Sequence, residues 1–97
     1  MKNIIVVATL TLRETHSEKA LEALKALHKA THQNDKGCLQ YDLHKDNDKA
    51  NTYVFIETWE NAALLDEHMN KEHFKAFQVA LDGQVESMSI HKLEKFL

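Results

Sequence analysis

The stretch "TYVFIETWENAALLDEHMNKEHF", residues 52–74, decides the fold. Its opening, Thr52 to Trp59, is rich in β-branched and aromatic residues, holds no Gly or Pro, and reads as a strand. Successive strand side chains point to opposite faces. Tyr53, Phe55, Glu57 and Trp59 therefore share one face, and Val54, Ile56 and Thr58 the other. Both faces are largely apolar. Asn61 then offers a side-chain oxygen suited to capping a helix. That helix is expected to run to about Met69, with Ala62, Leu65 and Met69 as its apolar stripe. Asn70 marks a second stretch of helix, Lys71 to Asp82, in which Phe74, Phe77, Val79 and Leu81 recur, and Gly83 ends it.

Upstream, "CLQYDLHK", Cys38 to Lys45, alternates strictly: Leu39, Tyr41 and Leu43 against Cys38, Gln40, Asp42 and His44. The polar "DNDKAN", residues 46–51, joins it to the Thr52 strand as a hairpin. Gly37 closes the turn before it. Thr15 to Gln33 reads as the first helix, with "THSE" as a capping box led by Thr15 and answered by Glu18. Ala20, Leu21, Leu24, Leu27 and Thr31 form its buried stripe. "NIIVVATLTL", Asn3 to Leu12, is the first strand, with Ile4, Val6, Ala8, Leu10 and Leu12 opposite Ile5, Val7, Thr9 and Thr11. "VESMSIHKLEKFL" is a last strand from Val85 to the C-terminus, with Met88, Ile90 and Lys92 on one face.

The order β-α-β-β-α-β predicts an α+β fold of ferredoxin-like form, an antiparallel sheet with both helices on one face. Two helices cannot cover the second face, yet the strands are apolar on both. A second copy is the expected cover, which predicts a homodimer packed sheet to sheet.

A chain of 97 residues suits one domain over 1–97. A net charge of -3 gives no electrostatic footprint for nucleic acid or an anionic membrane. One Cys, Cys38, forbids an internal disulfide. "MKNIIVVATLTLRE" carries no cleavage pattern of a signal peptide. Its apolar run is far short of the roughly 20 residues that span a bilayer. The cytoplasm is the expected compartment. With two Gly in the chain, the usual phosphate-cradling loops are excluded.

Chemistry must come from the seven His and the carboxylates. Glu57 and Trp59 point the same way, so Glu57 is either a partly buried base or a structural hydrogen-bond partner. His68 sits at the edge of the stripe that carries Leu64 and Leu65. It can act as acid, base or donor to a ligand, or be satisfied by a carbonyl in the core. His68 and His73 lie five apart, about 140° around one helix, and would share a face only if Asn70 breaks it. His28 and His32, at i and i+4, are the better-spaced metal pair, but Lys29 stands where the metalloprotease pattern has Glu, and no third ligand is obvious. No metal is expected. Cys38 has no visible base partner and reads as a small buried residue.

"KGCLQYDLHKD" followed by "YVFIETWENAALLDEHMNKEHFKAF" resembles the antibiotic biosynthesis monooxygenase family, in its small quinol-monooxygenase-like branch. Gly37, Cys38, Leu39, Tyr41, Glu57, Trp59, His68, His73 and Phe74 carry the likeness. The resemblance implies a dimeric α/β barrel and oxidation of small quinols or polyphenols by molecular oxygen, without metal, flavin or haem. It implies that Trp59 and Tyr41 wall the pocket, that His68 accepts or donates the proton, that Glu57 orients a neighbour, and that His73 stands at the rim. Phe74 and His28 complete the expected substrate contacts. The haem-degrading branch carries Asn, Trp and His where this chain has Ala8, His68 and Gln78, so haem degradation is not expected. An isomerase or other proton-transfer enzyme on a small metabolite, with Lys25 and Lys29 as the available cations if that metabolite is phosphorylated, and a non-catalytic small-molecule-binding stress protein are the alternative functions.

Overall fold

The structure, a computed structural model, describes residues 3–14 and 17–97. Along the chain run β1 (Ile4–Leu12), α1 (Ser17–Asn34), β2 (Cys38–Lys45), β3 (Thr52–Trp59), α2 (Ala62–Met69), α3 (Glu72–Leu81) and β4 (Val85–Leu93). The strands form one antiparallel sheet in the order β2-β3-β1-β4. This is the ferredoxin-like arrangement, with the second helix divided in two. The Thr15 cap lies outside the described residues, and β4 stops at Leu93 rather than running to the C-terminus.

The division of α2 from α3 has local causes. The Asn61 side chain accepts the Leu64 N–H at 3.0 Å and starts α2. At the other end the Asn70 N–H turns back to the Glu67 carbonyl at 3.1 Å, and the Lys71 N–H to His68 at 3.2 Å. These tightened bonds end the helix, and the chain restarts at Glu72 with Lys71 extended at the cap.

The core lies between the helices and one face of the sheet. Val6, Ala8, Leu10 and Leu12 of β1 are buried there, with Tyr41, Phe55 and Trp59 beside them and Ala20, Leu24 and Leu27 of α1 above. Each large side chain so buried contributes roughly 1.5–3 kcal/mol. The opposite face of the central strands, Ile5, Val7, Val54 and Ile56, stays half-buried. Two helical expectations are corrected. Val79 is 77% exposed, and Met69 is exposed while His68 takes the buried place below Leu65. The kink between α2 and α3 resets the helical phase, so one continuous stripe does not run through both.

Register sets the site. Glu57 stands opposite Val6 on one side and Tyr41 on the other, and Val6 stands opposite Lys92. Tyr41, Glu57, Val6 and Lys92 thus form one row across the helix-covered face.

Candidate functional site

Above that row, under α2 and α3, lies a cavity of about 120 Å³. Its walls are mostly apolar, from Leu27, Phe55, Leu65, Phe74, Phe77, Met88 and Ile90, with Tyr41, Glu57, His68, Gln78 and Lys92 as polar members. A wider groove of about 450 Å³ runs along Ile4, Ala62, Met69 and Leu93. It shares Leu65, Met69 and Lys92 with the cavity but reaches neither Glu57 nor His68.

Glu57 is 6% exposed. Its Oε1 accepts the indole N–H of Trp59 at 2.8 Å. Burial pushes its carboxyl up to about 7, although the Trp59 donor pulls the other way. Trp59 is wholly buried and stands behind Glu57 and His68 rather than on the cavity wall. Its ring lies 4.6 Å from the His68 ring, centroid to centroid. Tyr41 and Phe74 close round the same imidazole at 5.4 and 5.1 Å.

His68 Nδ1 meets the Asp35 carboxylate at Oδ2. Because that partner is a carboxylate, Nδ1 is the protonated nitrogen and donates. The other nitrogen, Nε2, is buried and has no hydrogen-bond partner among the described residues. Burial lowers the pKa of this His, with the Asp35 bond partly opposing it. A neutral imidazole oriented by a carboxylate, with a bare lone pair, is the arrangement of a general base.

Asp35 was not among the residues that the sequence singled out. It follows α1 directly, its N–H bonded to the Thr31 carbonyl at 3.0 Å, and its side chain is 1% exposed. The turn that holds it depends on Gly37. That residue has φ +78, in the left-handed region, and a Cβ there would run into Leu64 of α2. The Glu60 N–H also holds the Gly37 carbonyl at 2.9 Å. A carboxylate two residues before a Gly at a helix end was the one available signal, and it is a common pattern in solvated turns.

The break at Asn70 brings His73 to the same carboxylate. Its Nε2 lies 2.9 Å from Asp35 Oδ1, and its side chain is 20% exposed. Glu57, Trp59, Tyr41, His68, His73 and Phe74 are therefore one cluster. His28 is not part of it. Half-buried on α1, it meets the His32 ring at 4.4 Å, tilted by 56°, and does not line the cavity. His32 Nε2 is bound to the Tyr41 carbonyl at 2.7 Å. Cys38 is half-buried, and burial pushes its thiol up to about 11, which makes a poor nucleophile.

The family profile of antibiotic biosynthesis monooxygenases matches residues 3–80. The chain belongs to the antibiotic biosynthesis monooxygenase family. Solved structures share its fold. A Pseudomonas aeruginosa protein is 32% identical, with a TM-score of 0.90 over 100% of this chain and 97% of its own. A Bacteroides thetaiotaomicron protein of unknown function, described as a possible oxidoreductase, is 28% identical, with a TM-score of 0.88 over 97% and 98%. An uncharacterized Synechocystis protein is 27% identical over 74 residues, 76% of this chain. The chain spans about half the length of that curated relative, 50%. Within the monooxygenase family fold, Ala8, His68 and Gln78 all line the cavity. No helix among the described residues is long and apolar enough to cross a membrane.

Proposed function

We propose that this protein is a monooxygenase that oxidises a single-ring quinol or polyphenol with molecular oxygen. The observation that carries the reading is His68, held at Nδ1 by buried Asp35, with Nε2 buried and without a hydrogen-bond partner among the described residues, on a side chain that borders an apolar cavity. The cavity volume of about 120 Å³ is close to the roughly 150 Å³ that takes one benzene ring in an apolar protein interior.

A phenol of pKa about 10 gives its proton to an imidazole of about 6.5 at a cost of roughly 5 kcal/mol. Burial lowers the pKa of His68 and so adds to that cost, and the Asp35 carboxylate recovers part of the addition by pairing with the imidazolium. Glu57, with its carboxyl near 7, is placed to take or return a second proton. A quinol loses two in the reaction. The electron-rich anion then reacts with oxygen: hydroquinone plus O₂ gives hydroxyquinone plus water, with one oxygen atom entering the ring and the other leaving as water. The apolar walls exclude bulk water from the anion and hold the ring beside both bases. Lys92 at the cavity's β4 side adds a cation near the developing negative charge.

We infer further that two copies pack through the uncovered sheet face. Half-buried Ile5, Val7, Val54 and Ile56 support this, as does the family's dimeric barrel. A light-scattering mass of one chain at micromolar concentration would refute it.

Oxygen uptake tests the chemistry. Protein both as purified and chelator-treated is offered a panel of hydroquinones, against autoxidation of each substrate alone. Enzyme-dependent uptake that collapses in His68→Ala is the expected result. A product of unchanged mass would point instead to an isomerase, and saturable binding without turnover to a carrier.

A further inference from the structure

We propose that Asp35, His68 and His73 form a binding site for one divalent transition-metal ion of the zinc class. The three donors come from three elements: the turn after α1, the last turn of α2 and the first turn of α3. Their ligand atoms all lie within 4.8 Å of one another. Such a site is separate from the proposed oxidation, which uses no metal.

A hydrogen-bond network accounts for only half of the cluster. Asp35 Oδ2 has its donor in His68. Asp35 Oδ1 and His73 Nε2 stand 2.9 Å apart, yet both are buried and neither has a hydrogen-bond partner. They are near without being aligned as donor and acceptor. Two lone-pair atoms converging in this way suit a shared cation. Ligands about 2.1 Å from a tetrahedral ion stand about 3.4 Å apart, so the 2.9 Å pair has to part by only about half an ångström to admit one. A carboxylate that is 1% exposed also needs positive charge beside it, and no Lys or Arg pairs with it among the described residues.

Donor chemistry selects the ion. Two imidazoles and one carboxylate suit zinc and its first-row neighbours, whereas magnesium and calcium prefer all-oxygen sites. Three protein ligands leave a coordination position open. His73, 20% exposed, lies on the side from which an ion can enter. Binding through Nδ1 moves the His68 proton to Nε2. The loaded protein therefore no longer has a bare lone pair on Nε2, and zinc is expected to inhibit any turnover that uses it.

The test is binding, so it stands apart from the oxidation reading. Untagged protein is titrated with Zn²⁺ by calorimetry, and with Co²⁺ followed by its visible absorption. The expected result is one ion per chain, with affinity reduced at least about tenfold in His73→Gln and in Asp35→Asn, and unchanged in His32→Gln. His73→Gln alters a partly exposed residue, so it remains informative if Asp35→Asn fails to fold. No saturable binding of either ion overturns the proposal. So does binding that survives His73→Gln, or binding that is lost in His32→Gln. Failure on these terms leaves the oxygen-uptake result untouched.

Discussion

Two histidine pairs in this chain invert what their spacing suggests. His28 and His32 lie at i and i+4 on one long helix, the spacing that places two imidazoles side by side, and their rings do meet at 4.4 Å. His32 spends its Nε2 on the Tyr41 carbonyl, and among the described residues no carboxylate joins the two rings in a site. His68 and His73 lie five apart, which on an unbroken helix would turn them away from each other. They share one buried carboxylate because Asn70 breaks the helix and the turn after α1 delivers Asp35 between them. Spacing along one helix reports adjacency. A site needs a third group from elsewhere in the chain, and only the fold supplies it.

The sharpest way to break this contrast is to remove one ring from each pair. His68→Ala takes away the proposed base and is expected to lower kcat roughly a thousandfold, about 4 kcal/mol in the barrier. His32→Ala is expected to leave kcat within about twofold. Equal losses in the two variants, measured by oxygen uptake, would place the base on neither pair.

Glu57 sharpens the contrast from the stability side. Its folded carboxyl lies at about 7 against an ordinary 4.5. Between those values the unfolded chain releases the proton while the folded chain keeps it. Stability therefore falls as pH rises through this window and levels off above it. The full effect is about 3 kcal/mol. Glu57→Gln is expected to lack that fall, seen as a smaller difference between urea midpoints at pH 5 and pH 8. His68, whose folded pKa is lowered, contributes in the opposite sense. Comparison of the two proteins removes its share, since both carry it. A Gln variant with the same pH profile as the original would mean that Glu57 is ionised in the folded chain.

Much of this was legible in the sequence. Strand alternation placed Glu57 and Trp59 on one face with Phe55, and the limits of β2 and β3 agree with the structure to the residue. Period-two and period-three-to-four patterns report which side chains share a face, and burial then follows. Asp35 was not legible. Its side chain is hidden by residues 33 and 38 positions further along, and a turn in isolation looks like solvated chain. The pocket's boundaries were likewise only partly visible: Val79 fits an apolar stripe by counting but points outward, since α3 restarts with its own phase after Lys71.

The turn that carries Asp35 can be tested against another with the same backbone. Gly37 and Gly83 have φ +78 and +76. At Gly83 an added Cβ meets nothing within 4 Å, so Gly83→Ala costs only the left-handed backbone, about 1 kcal/mol. At Gly37 the same methyl also drives into Leu64, and the total is expected near 2 kcal/mol or more. Because that push separates the turn from α2, it should also weaken the Asp35–His68 contact, lowering kcat as well as the melting temperature. Equal costs at the two glycines would show that Leu64 yields freely and that the turn is not clamped.

The smallest expected effect belongs to the pair that forms no site. His32→Ala removes a bond of 2.7 Å to a carbonyl on β2, in a partly buried position. A single neutral hydrogen bond contributes about 1 kcal/mol net. The loss is moderated here because water can reach the exposed side of α1 and satisfy the freed carbonyl. The expected result is a drop of about 1 kcal/mol in urea unfolding, with metal binding and oxygen uptake unmoved. A larger loss accompanied by weaker turnover would mean that His32 holds Tyr41 in place against His68, and the two pairs would then be coupled through that ring rather than independent.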